Sequence, residues 1–222
     1  MGPVRSIYSF DSVTDFLKQV LYNDACATTL VICSTRDHFL GQLFTAIRNH
    51  TDETGASDGH QLSTKTIGLL ANSSKIRLLF CPTLENLRAC LSALHSSDVK
   101  QDTAHVDQQG RRPLLAVLNL LALHVSTSEF SAQGLSRTFA NVVEVSSRMG
   151  MNLVLCECRD ILDPSNERGE ALWNVHVPLL NGSVRFGGDE STLRGRSVPV
   201  KRVAQRWFEF NEKIDQKAPR NP

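Results

Sequence analysis

No apolar run in this sequence comes near the roughly 18 residues a membrane-spanning helix requires. The longest, Leu114 to Leu123, is interrupted by Asn119. The first ten residues carry no apolar signal core, which predicts a chain that is not secreted. Cysteine is sparse, six in 222 residues, too few for a disulfide framework. Cys33, Cys81, Cys156 and Cys158 lie at or beside the ends of apolar runs, where cysteine packs as a small hydrophobe. Reduced thiols and a cytosolic or nuclear compartment are expected. An excess of charge of either sign is also missing: 24 Lys and Arg stand against 23 Asp and Glu. Any attraction to nucleic acid must therefore come from a local patch.

What is present is an ordinary globular balance, 41% hydrophobic and 21% charged. The spacing Val13, Phe16, Leu17, Val20, Leu21 predicts a helix over Ser12–Tyr22, capped by Asp11 or Ser12. Four short apolar runs follow: Thr28–Cys33, Ile76–Cys81, Leu114–Leu121 and Leu153–Cys158. They alternate with helical patterns near 37–49, after Thr83, and over 131–149, the last stopped by Gly150. Such alternation predicts an α/β fold with a mainly parallel, helix-flanked sheet. The polar stretches 50–64 and 96–112 read as long loops. Beyond Asp160 the pattern changes. Asn174–Leu180, Ser183–Phe186 and Val198–Phe210 predict antiparallel strands added at the C-terminal edge, with Pro199 tolerated there. The expected organisation is an N-terminal helix over 1–24 packed on the core, one domain over 25–211, and a frayed tail over 212–222.

In such a sheet, the turn after an early strand is the natural phosphate site. A P-loop reads G-x-x-x-x-G-K-[ST], its glycines admitting backbone amides to phosphate and its lysine neutralising charge. The turn here reads Cys33-Ser34-Thr35-Arg36-Asp37-His38, without glycine or lysine. Arg36 offers at most a point contact and otherwise reads as a solvated charge at a helix start. Asn119 stands where the strand Leu114–Leu121 would present a carboxylate to magnesium, and a neutral amide is a poor anchor for that ion. The bland reading of Asn119 is a hydrogen-bonded polar residue near a strand end. Glu157 is the acidic side chain at the end of the next strand, a candidate functional group or else a paired surface charge. Cys156 and Cys158 lack a second pair at zinc spacing, no H-E-x-x-H occurs, and no G-x-S-x-G elbow exists. No metal or cofactor is expected.

One charged feature stands out. Arg185, Arg194, Arg196, Lys201, Arg202 and Arg206 face only Asp189 and Glu190 over the same stretch, and Trp207 and Phe208 adjoin them. Cations beside aromatics that stack on bases are a nucleic-acid-binding pattern. The competing reading makes the cations guards of an edge strand and Trp207 a core residue.

The segment LLAVLNLLALHVSTSEFSAQGLSRTFANVVEVSSRMGMNLVLCECRD, 114–160, resembles the RecA-like ATPase core, above all the paralogues of eukaryotic recombinases. The matching pattern is an apolar strand, a loop with an acidic-aromatic pair, a long helix, a glycine turn and an apolar strand. The likeness extends over Thr28–Phe210, with TTLVICSTRDHFLGQL where that family's P-loop unit would fall. Ser34, Thr35, Arg36, Asn119 and Glu157 would then mark a degenerate nucleotide site. The resemblance implies a subunit without ATP hydrolysis, assembled with a related RecA-like chain and contacting DNA. The Shu-type recombination mediators of the nucleus are one such group. The RecA-like accessory subunits of Elongator, which act in tRNA modification, are the other. An α/β enzyme of another kind is the third reading.

Overall fold

The computed structural model describes residues 2–54, 62, 66–97, 110–162, 169–180 and 197–211. Among these residues eight strands form, β1 (Arg5–Tyr8), β2 (Thr28–Ile32), β3 (Ile76–Phe80), β4 (Leu114–Leu118), β5 (Asn152–Cys156), β6 (His176–Pro178), β7 (Ser197–Pro199) and β8 (Glu209–Asn211). The helices are α1 (Val13–Leu21), α2 (Arg36–Thr54), α3 (Ile67–Ser73), α4 (Leu84–Ser97), α5 (Leu120–Val125), α6 (Ala132–Arg148) and α7 (Val200–Ala204), with a 3₁₀ segment at Gly169–Asn174. Six strands make one all-parallel sheet in the order β3-β2-β4-β5-β1-β8. The α/β, helix-flanked parallel sheet is therefore as the alternating pattern indicates.

Strand side chains alternate between two cores, as the period of two requires. On one face Val31, Leu115, Val117, Leu153 and Leu155 pack with Leu87 and Leu91 of α4 and Leu135, Phe139 and Val142 of α6. On the other, Leu30, Ile32, Ala116, Leu118 and Val154 pack with Val13, Phe16 and Val20 of α1 and Phe39 of α2. β4 is buried at every position, which explains its unbroken apolar run. Gly150 ends α6 with φ 63°, a left-handed turn that a side chain would strain, and the chain re-enters the sheet two residues later.

Several sequence expectations are corrected. The strand expected over Leu114–Leu121 stops at Leu118. Asn119 takes a left-handed φ of 60°, and Leu120 opens a short helix. Period alone does not separate a buried strand from a buried helix turn. The N-terminal segment contributes a strand as well as a helix: β1 pairs with β5, and Ile7 is fully buried. α2 runs on to Thr54, into the stretch read as a loop. The antiparallel pair, β6 with β7, forms a separate ribbon, and the sheet edge is taken by β8, parallel to β1. Val198–Phe210 is interrupted by α7, because Pro199 fits a helix N-cap as readily as an edge strand. Residues 183–186, and the tail expected over 212–222, lie outside the described residues.

Candidate functional site

The helices following β2 and β4 lie on opposite faces of the sheet, so the chain diverges between these neighbouring strands. In an open parallel sheet that point is where ligands bind, outside the carboxyl ends of the strands. A crevice of about 440 Å³ lies there, lined by Cys33, Ser34, His38, Thr83, Glu85, Asn119, Ser126, Thr127 and Asp160 among others. It brings together two residues of the expected degenerate nucleotide site, Ser34 and Asn119. Thr35 and Arg36 are exposed outside the lining. Thr35 is occupied in starting α2: its hydroxyl accepts from the His38 N–H at 3.3 Å and its carbonyl from the Phe39 N–H at 3.1 Å. Among the described residues the lining contains the carboxylates Glu85 and Asp160 and no lysine or arginine. Those carboxylates would repel a phosphate.

The floor of this region is a lock between the ends of β4 and β5. The Asn119 Oδ1 accepts from the Cys158 N–H at 2.8 Å, and the Asn119 N–H donates to the Cys156 carbonyl at 2.8 Å. In return the Glu157 carboxyl accepts from the Leu121 N–H at 2.6 Å and the Ala122 N–H at 3.3 Å. Asn tolerates the left-handed backbone better than most residues, which is why it can turn the chain here. Glu157 is 1% exposed, so its reading as a surface charge is corrected: it satisfies the first amides of α5 from beneath. Burial pushes its carboxyl up to about 8, against the downward pull of the α5 amides. Cys33 and Cys158 are also raised well above the ordinary thiol range: Cys33 chiefly by burial, Cys158 first by its neighbour Cys156 and then by burial. Such shifts favour the protonated, weakly nucleophilic thiol at both positions.

Two further groups were not visible as partners in sequence. His38 Nε2 and Asp160 Oδ2 are 2.6 Å apart, 122 residues apart in the chain. Burial works to raise Asp160, but the neighbouring Gln42 and His38 side chains and the Leu162 N–H outweigh it and hold the carboxylate low. Arg88 of α4 forms an ion pair with Glu129, which closes the Ser126–Phe130 turn onto α4.

A second strand-to-helix turn, from β1 to α1, opens on a smaller hollow of about 260 Å³ that includes Asp11, Ser12, Asp15 and Arg159. Ser9-Phe10-Asp11-Ser12 has no glycine or lysine either, and Ser12 caps α1 with its own hydroxyl. Its only signal in sequence was the cap of the first helix.

Of the six basic candidates, Arg185, Arg194 and Arg196 lie outside the described residues. Arg202 and Arg206 are exposed, and the Lys201 ammonium sits 5.0 Å from the Phe210 ring centroid. Of the two readings of the adjoining aromatics, burial favours the one that places Trp207 in the core. Phe208 is 4% exposed and packs edge-on against Phe139, while Trp207 is half-buried against the same core. Ring burial there outweighs any exposed stacking role.

No curated protein matches the chain. A family model does, over residues 6–217, from β1 to beyond β8, and the chain thus belongs to the SPAC22G7.03-like family.

Proposed function

We propose that this chain is a catalytically silent RecA-like subunit of a heteromeric complex, acting in the nucleus as a recombinase-paralogue mediator of homologous recombination. The observation that carries the reading is the Asn119–Glu157 lock. The amide oxygen at the strand end is engaged by the Cys158 N–H, and the neighbouring carboxyl is turned inward onto α5. Both groups are engaged by backbone rather than presented to magnesium or water, and the described residues of the crevice above them include no lysine or arginine for phosphate. A subunit without that chemistry acts through its surfaces. Lys201, Arg202 and Arg206 supply a basic one at the end of the sheet beside β8.

Affinity purification of the tagged chain from its native cell, with mass spectrometry, tests this. Stoichiometric recombinases or their paralogues are expected. Elongator subunits in their place would move the fold to tRNA modification, and no stoichiometric partner would overturn the reading. ATP turnover lost in Arg36→Ala would overturn the silent assignment. For the complex, changing Lys201 and Arg202 to Ala removes about two phosphate contacts. It should flatten the slope of log K against log salt by about 2, at about 0.9 per contact. An unchanged slope removes these residues from any nucleic-acid interface.

A further inference from the structure

Among the described residues, the β3 side of the sheet leaves several large apolar side chains exposed. Ile67 is 88% exposed, Leu70 60% and Leu78 50%. α3 buries none of its residues, although its first turn is apolar, and it leads into β3 through Ser74 and Lys75 alone. Phe44 of α2, on the same face of the sheet as Leu78, is 67% exposed. Solvated apolar residues scattered singly need no explanation. Three large ones within one helix–strand segment, and a fourth on a helix that covers the same face of the sheet, do.

β3 is also an open hydrogen-bonding edge, pairing with β2 and with no other strand among the described residues. The Lys75 carbonyl and the Cys81 N–H both bond toward β2. The odd-numbered residues of the strand therefore direct their main-chain groups inward. Ile76, Leu78 and Phe80 direct theirs outward. Side chains alternate too. Ile76 and Phe80 pack on the α1–α2 core, which puts Leu78 on that face, and Arg77 projects from the other. Between residues 66 and 80 the charged side chains are Lys75 and Arg77, with no acid. Cations on an edge repel a basic strand, but they attract an acidic one.

We propose that β3 is a docking edge for an extended segment of a partner protein, apolar at alternate positions and acidic at those between. It would add a seventh strand to the sheet. Its apolar residues would lie beside Leu78 and its carboxylates opposite Arg77. Main-chain pairing supplies affinity in this mode, and the alternating side chains supply choice of partner. The inference rests on the reading of the chain as a subunit and names the surface that the subunit would use.

The test uses the full chain and synthetic peptides of roughly nine residues, long enough to span the strand. One alternates Val and Glu, one alternates Val and Lys, and one is the Val/Glu peptide with alternate main-chain nitrogens methylated. Saturable binding of the Val/Glu peptide by fluorescence anisotropy is expected. Slowed amide exchange should appear at Ile76, Leu78 and Phe80. Arg77→Glu, an exposed change read with circular dichroism as a folding control, should weaken binding about tenfold and admit the Val/Lys peptide. Equal binding of both charge patterns, full binding of the methylated peptide, or no binding overturns the proposal. So does protection of those three amides in the free chain, since a segment of the chain itself or a second copy would then occupy the edge. A native complex unaffected by Leu78→Asp with Arg77→Glu overturns the edge and leaves the subunit reading standing. Absence of partners from the wild-type chain overturns the subunit reading, and the peptides still decide the edge.

Discussion

The carboxyl ends of β4 and β5 and the outer side of β3 belong to one sheet and differ in almost every respect. At the first, Asn119 and Glu157 are polar and buried, Asn119 accepting from the backbone just beyond β5 and Glu157 from the first amides of α5. At the second, Leu78 is apolar and exposed, with its main-chain groups directed outward. Folds of this class usually keep polar groups open at the strand ends and seal their edges. Here the Asn119 and Glu157 side chains are tied to backbone, and among the described residues β3 is paired on one side alone. On the proposed reading, the difference places the chain's interactions at its periphery.

The sharpest way to break the contrast is to unlock the sealed end. Glu157→Ala leaves the Leu121 and Ala122 amides buried without an acceptor and opens a void. A loss of about 3 kcal/mol is expected, from an unsatisfied buried donor plus the cavity. Asn119→Ala loses the acceptor for the Cys158 N–H and also strains the left-handed backbone, for about 2 kcal/mol. Asn119→Gly keeps only the first penalty and should cost less. Urea melts of the three variants give the ranking. Equal losses for Asn119→Ala and Asn119→Gly would show that the backbone conformation there is not a constraint.

A smaller effect is the pH dependence that the lock imposes. Glu157 titrates near 8 in the fold against about 4.5 in the unfolded chain, so between those values the native state binds the extra proton. Stability from this group is complete below about 4.5 and declines as pH rises through about 8. Buried His124, lowered from about 6.5 to about 4, works the other way and loses its contribution as pH falls through that window. From pH about 6.5 to 8 Glu157 alone of the two supplies a slope. Melting midpoints should fall across that interval in the wild type and stay level in Glu157→Gln. A wild type flat over the same interval would mean that the carboxyl is already ionised under α5.

How far these regions were legible in sequence follows from the range of the interactions that make them. The parallel sheet was legible because buried strands such as Leu114–Leu118 write their environment into consecutive residues. The stop at Gly150 was legible for a similar reason: a left-handed turn favours one residue type. The lack of glycine and lysine in Cys33–His38 is equally local. The partnership of Asn119 with Cys158, or of His38 with Asp160, depends on strands distant in sequence lying side by side, and no spacing encodes it. β1 was missed because Arg5–Tyr8 is too short to show a period. The exposed edge was missed for the opposite reason. Ile76–Cys81 reads as one more strand of the alternation, and only the sheet order reveals that, among the described residues, β3 is paired on one side alone.

The smallest expected effect is therefore the most informative about that edge. In the isolated chain Leu78→Ala removes a side chain that already faces water, and the stability change should stay within about 0.5 kcal/mol. The same change at Leu115, fully buried in the central β4, should cost about 2 to 5 kcal/mol. Both substitutions remove the same atoms from a parallel strand, so their difference isolates burial from strand propensity. A Leu78→Ala cost approaching that of Leu115→Ala would mean that the edge is already covered in the free protein. A near-zero cost means that Leu78 is held in place by something other than stability of the isolated fold, and addition of an acidic, alternating peptide should then make the same substitution costly.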